Sequence, residues 1–222
     1  MPIPELTTVE VRVLGALMEK ERATPDQYPL TLNALVHACN QKSSREPVVD
    51  YDERTVVRAL DSLRQKKLAL LVSSAGGRVP KYEQCLTDAY YLTAAEASVL
   101  TVLMLRGPQT IGELRSRCAR IHDFESLPEV QDTLHKLCSK EGRVFATQLP
   151  RQTGRKECRY AHLLCGQPDV VEETPPTPAP EPARVAVDAE NERLDRLEQQ
   201  TQSLHQELAA LREQFEAFRN QF

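Results

Sequence analysis

Apolar residues recur along this chain with a helical period, and the same pattern occurs twice. From Leu6 the chain reads LTTVEVRVLGALM, and from Leu92 it reads LTAAEASVLTVLM. Val13, Leu14, Leu17 and Met18 fall on one face of a helix, as do Val99, Leu100, Leu103 and Met104 in the second copy. Thr7 with Glu10, and Thr93 with Glu96, have the spacing of a capping box, which satisfies backbone donors orphaned at a helix start. Leu6 and Leu92 precede the caps and are placed to staple against Val11 and Ala97.

The correspondence extends beyond the opening. Leu32, Leu35 and Cys39 align with Ile111, Leu114 and Cys118, which predicts a short second helix in each copy. Val56, Leu60 and Leu63 recur at i, i+4 and i+7, as do Val130, Leu134 and Leu137, which predicts an amphipathic third helix. Both copies then turn β-like. LALLVSS and RVPKYEQCL flank a Gly-bearing loop in the first, RVFATQL and RKECRYAHLL in the second, and each pair reads as a hairpin. Helices two and three resemble a helix-turn-helix and the hairpin resembles a wing. The expected fold is mainly α with small β-hairpin wings: two tandem winged-helix domains, 5–88 and 91–166.

A Pro-rich, apolar-poor stretch over 167–187 reads as an extended linker. Over 188–222 the pattern changes again. Leu194, Leu197, Thr201, Leu204, Leu208, Leu211, Phe215, Phe218 and Phe222 are spaced alternately by three and four, the seam of a coiled coil. With Leu194 at a, a parallel homodimer pairs Arg193 with Glu198 and Glu207 with Arg212 across chains. A C-terminal coiled-coil helix that self-associates is therefore expected.

Charge changes the picture more than composition does. The net charge of −4 conceals a gradient. Residues 1–90 balance, residues 91–167 carry a net +3, and residues 168–222 carry a net −7. The acidic tail thus masks a body able to meet nucleic acid. No apolar run is long enough to span a membrane, and MPIPELTTVE is no secretory signal, so a soluble, cytoplasmic protein is expected. The six cysteines form no C-x-x-C pair and read as reduced thiols.

Catalytic signatures are lacking: no G-x-S-x-G, no phosphate-cradling Gly loop and no H-E-x-x-H occurs. A non-enzymatic protein without cofactor is expected. Cys158, His162 and Cys165 come nearest to a metal set, but they have no clear fourth ligand, and no metal is expected. The basic residues point to double-stranded DNA as partner. Lys42 and Arg45 lie between helices two and three, Arg54 and Arg58 on helix three, and Arg78 and Lys81 on the first wing. Arg151, Arg155, Lys156 and Arg159 supply a second phosphate footprint on the other wing. Asp52 and Glu53 weigh against a simple sequence-specific repressor, because they place negative charge at the start of helix three. An alternative is an interaction scaffold for an unidentified protein.

The stretch PDQYPLTLNALVHACNQKSSREPVVDYDE, with GGRVPKYEQCL and HDFESLPEV, closely resembles the YceH-like family of uncharacterised bacterial proteins. The resemblance runs through about residues 5–165. It implies two winged-helix domains and no particular reaction, ligand or site.

Overall fold

Thr7 and Thr93 cap the helices that begin the repeats. In the computed structural model, which describes residues 3–72, 79–140, 143–151 and 157–167, each Thr hydroxyl accepts the backbone N–H of the Glu three residues on. That Glu carboxylate in turn accepts the Thr backbone N–H. The chain runs α1 (Thr8–Ala23), β1 (Leu30–Thr31), α2 (Leu32–Cys39), α3 (Glu53–Gln65), β2 (Ala69–Val72) and β3 (Lys81–Gln84). It continues through a short α4 (Leu86–Ala89), then α5 (Ala94–Arg106), α6 (Ile111–Cys118), α7 (Leu127–Ser139), β4 (Ala146–Gln148) and β5 (Tyr160–His162). The described residues are mainly helical with two small antiparallel sheets.

The first sheet has the order β1-β3-β2, with Tyr82 facing Leu30 on one side and Leu71 on the other. β4 and β5 form the second, with Ala146 opposite His162. The strand before α2 is not visible in the hydrophobic pattern. Its counterpart before α6 is a single bridge, in which the Gln109 and Tyr160 backbones exchange hydrogen bonds of 3.0 and 2.8 Å. Both repeats therefore carry the same order: helix, short strand or bridge, two helices, hairpin.

The core departs from the amphipathic expectation. Nine consecutive residues of α1, Glu10–Met18, are buried, as are ten of α5, Glu96–Leu105. An amphipathic helix hides one face. These two hide nearly every face, because α1 packs against α2 and α3 and also against α5. Gly15 sits at the α1–α5 crossing, where an added Cβ would lie 3.0 Å from Leu105 Cδ2 and 3.2 Å from Met104 Cβ. The two copies of the opening phrase are thus packed on each other. Buried side chains from both repeats form one hydrophobic cluster, and all described residues fall in one compact unit.

A mirrored ion pair closes each repeat. Lys66, at the C-cap of α3, donates to both Glu10 oxygens at 2.7 and 2.9 Å. Lys140, at the C-cap of α7, donates to Glu96 at 2.6 Å. The capping-box glutamates therefore also anchor the end of the third helix. The linker and the heptad seam Leu194, Leu197, Thr201, Leu204, Leu208, Leu211, Phe215, Phe218 and Phe222 lie outside the described residues, as does all of a second unit, Glu173–Phe222.

Candidate nucleic-acid interface

The outward face of α3 starts at Asp52. Its carboxylate accepts the Thr55 N–H at 2.9 Å, so the acidic start expected to repel phosphate is the N-cap of the helix. Hydrogen bonding from the Thr55 side chain and then from its backbone N–H, helped by Arg54 and Arg58, holds the Asp52 pKa below its ordinary value. Arg54 and Arg58 are exposed one turn apart and share a shallow depression with Val57. Beyond the attraction of Asp52, neither makes a hydrogen bond or ion pair among the described residues. Farther along, Arg64 pairs with Asp61 at 3.3 Å. The equivalent face of α7 exposes Gln131, Asp132, His135 and Lys136, which carry little net charge.

The loop from Asn40 to Asp52 is longer than a helix-turn-helix turn needs, and its contacts show why. Asn40 ends α2 and brackets the loop, donating to Tyr51 O and accepting from Tyr51 N, both at 2.8 Å. Arg12, buried in α1, donates to Pro47 O at 2.5 Å. The loop then crosses to the second repeat: Glu46 N–H donates to Leu105 O at 2.8 Å, and Arg106 donates to Ser44 Oγ at 2.6 Å. Ser44 adopts φ 63°, a left-handed conformation uncommon for a residue with a side chain.

Arg45 is the clear correction to the expected phosphate contacts. Its side chain is buried, and every guanidinium N–H is engaged. Nε and Nη2 donate to Ala38 O at 3.1 and 2.8 Å. Nη1 and Nη2 donate to the Glu19 carboxylate at 3.1 and 2.6 Å, and Nη1 also reaches Ser44 O at 3.0 Å. A guanidinium so saturated locks the loop to α1 and α2 and has no donor left for a phosphate. Glu19 lies 26 residues from Arg45 in the sequence, so no local spacing pairs the two.

The other expected contacts separate. Lys42 is exposed but lines a different cavity from Arg54 and Arg58. Lys81 is half-buried on β3, paired in register with Val72 and Thr31. Arg159 donates to Pro108 O at 2.8 Å and stands 3.6 Å from Glu113, so it braces the start of α6. Arg151 is exposed. Arg78, Arg155 and Lys156 lie outside the described residues.

The cysteines are free thiols. Cys39 and Cys118, at equivalent ends of α2 and α6, are buried, and burial pushes both thiols up to about 12. Burial likewise pushes His162 down to about 4. Among the described residues, no three His, Cys, Asp or Glu side chains gather in a metal-holding group, the trio Cys158, His162 and Cys165 included. No helix among them is long and apolar enough to cross a membrane.

Comparison with known proteins places the chain in a family. Residues 6–155 match the family described as "Protein of unknown function, DUF480", and the chain belongs to it. It is 53% identical over 195 residues to a UPF0502 protein of Geotalea daltonii, covering 88% of each chain. A UPF0502 protein of Opitutus terrae is 55% identical over 184 residues, covering 83% of this chain and 79% of the relative. One from Geobacter sulfurreducens is 51% identical over 193 residues, covering 87% of each.

Proposed function

We propose that this protein is a non-enzymatic tandem winged-helix DNA-binding protein of the cytoplasm, self-associating through its C-terminal heptads and acting as a transcriptional regulator. The observation that carries the reading is α3. It follows α2 in a helix-turn-helix order, precedes a hairpin, and presents Arg54 and Arg58 outward with no hydrogen bond or ion pair among the described residues. Two guanidiniums one turn apart suit base edges or phosphates in a major groove. The flat charge of α7 gives the second repeat a supporting part rather than an equal one.

The test is fluorescence anisotropy of the full chain on labelled duplex DNA across a salt series. Affinity is expected to fall steeply with salt, and Arg54→Gln with Arg58→Gln to weaken binding at low salt by about tenfold or more. Removing 188–222 is expected to abolish self-association in sedimentation and to weaken DNA binding. No binding at low salt sinks the reading.

A second reading, a protein-interaction scaffold, is favoured by one observation. The edge strand β2 exposes Leu70 and Leu71, and Val79 is exposed just before β3; these apolar side chains suit a protein partner better than DNA. Capture of a protein by the full chain that survives nuclease treatment, together with absent DNA binding, supports this reading over the first.

A further inference from the structure

The α2–α3 loop and the second repeat enclose a cleft of about 420 Å³ that the DNA reading does not use. It lies where the last turns of α1, α5 and α6 meet the loop. Its volume is within the roughly 300–1,000 Å³ of small-molecule sites. Five cationic side chains line it: Lys20, Lys42, Arg106, Arg117 and Arg120. Glu19 is the one acidic residue of the lining, and both its oxygens are held by the buried Arg45.

Basic residues at helix C-termini often do no more than complement the helix dipole. That accounts for Lys20, Arg106 and Arg117, which stand in the last turns of their helices. Arg117 also bonds Gln109 and stands 3.4 Å from Glu113. It does not account for Lys42, on the loop, or for Arg120, past the end of α6. Neither has a partner among the described residues. Arg106 is held down from its ordinary pKa by burial and then by the like charge of Arg117, a repulsion that a bound anion relieves. The strained Ser44 presents its hydroxyl to Arg106 at this same rim. The floor is different in character, because Val102 and Ile121 supply apolar surface.

We propose that this cleft binds a small organic phosphate monoester. Its phosphoryl oxygens are held by Arg106, Arg120 and Lys42, and its carbon skeleton rests against Val102 and Ile121. The ligand touches both repeats, so it tightens their packing when bound. The proposal is independent of DNA binding by α3.

The experiment is calorimetric titration of the full chain at low salt with AMP, glucose 6-phosphate, inorganic phosphate and uncharged adenosine, with thermal melts alongside. At least one ester is expected to bind saturably, more tightly than inorganic phosphate or adenosine, and to raise the melting temperature. Lys42→Gln with Arg120→Gln is expected to weaken that ester by about tenfold or more. The unliganded melting temperature should hold, because both side chains lack partners. Arg54→Gln with Arg58→Gln is expected to leave ester binding unchanged, which separates this site from the α3 surface. The proposal is overturned if neither ester binds at millimolar concentration, or if the Lys42/Arg120 variant binds as well as the parent. It is also overturned if the esters bind no better than inorganic phosphate and duplex DNA displaces them, since the cleft then reads nucleic-acid backbone.

Discussion

At the scale of single residues, the structure turns on a few buried ions with long-range partners. Burial alone raises the pKa of Glu10 and Glu96. Hydrogen bonds from Lys66 and Lys140, and from the Thr7 and Thr93 caps, more than reverse this, so both carboxyls end below their ordinary value. A carboxylate depressed in the folded state contributes stability that is full above its unfolded pKa of about 4.5 and is lost as pH falls through the folded pKa. Melting temperature is therefore expected to drop on acidification below about pH 4.5. Glu10→Gln with Glu96→Gln should lower the neutral-pH melting temperature and flatten that acid limb. Arg45 carries a larger consequence. Truncating it to Ala removes the bidentate partner of Glu19, leaves it Lys20 at 3.8 Å and the more distant Arg106, and unties the loop. A loss of about 3–5 kcal/mol is expected from urea unfolding, the range for one partner of a buried pair. Arg45→Lys should recover little of it, because an ammonium does not reproduce a five-donor fork.

At the scale of elements, the local signals were legible and the packing was not. The threonine caps are read from four residues each, because both partners of a capping box lie within one turn. α3 and α7 show their buried stripes because each hides a single face. α1 and α5 misled the periodic reading, since a helix packed on both flanks needs apolar or small residues on almost every face. β1, of two residues, has no period to detect. Gly15 is a test of the crossing. Gly15→Val adds three carbons where one Cβ already falls at 3.0 Å from Leu105. Overpacking is expected to cost about 1–3 kcal/mol in denaturant midpoint measurements, despite the better helix propensity of the new residue.

At the scale of the molecule, the repeat that reads as two domains has one shared core. Residues 1–90 alone expose the side of α1 that α5 covers and lose the anchor of the loop on Leu105 and Arg106. This fragment is expected to give a collapsed amide NMR spectrum without native dispersion, while the full chain melts its two repeats in a single transition. Separate transitions for the repeats would contradict the shared core. The candidate surface was legible only in part. Arg54 and Arg58 follow from the helix that carries them. The cleft cations come from α1, α5, α6 and two loops, so only folding gathers them. One trace of it does lie in the sequence. When the doubled opening is extended by two residues, Lys20 and Arg106 fall at equivalent positions, and both reach the cleft.

The α1–α5 crossing also sets a timetable for synthesis. α1 ends at Ala23 and α5 at Arg106, 83 residues later. At about 5–20 residues per second, the ribosome delivers the partner helix roughly 4–17 s after the first. For those seconds the nascent chain carries an apolar helix whose α5-facing side has no native cover. The first repeat therefore reaches its final form only once the second is outside the exit tunnel, and a ribosome that stalls within α5 releases a chain with a sticky, half-built core.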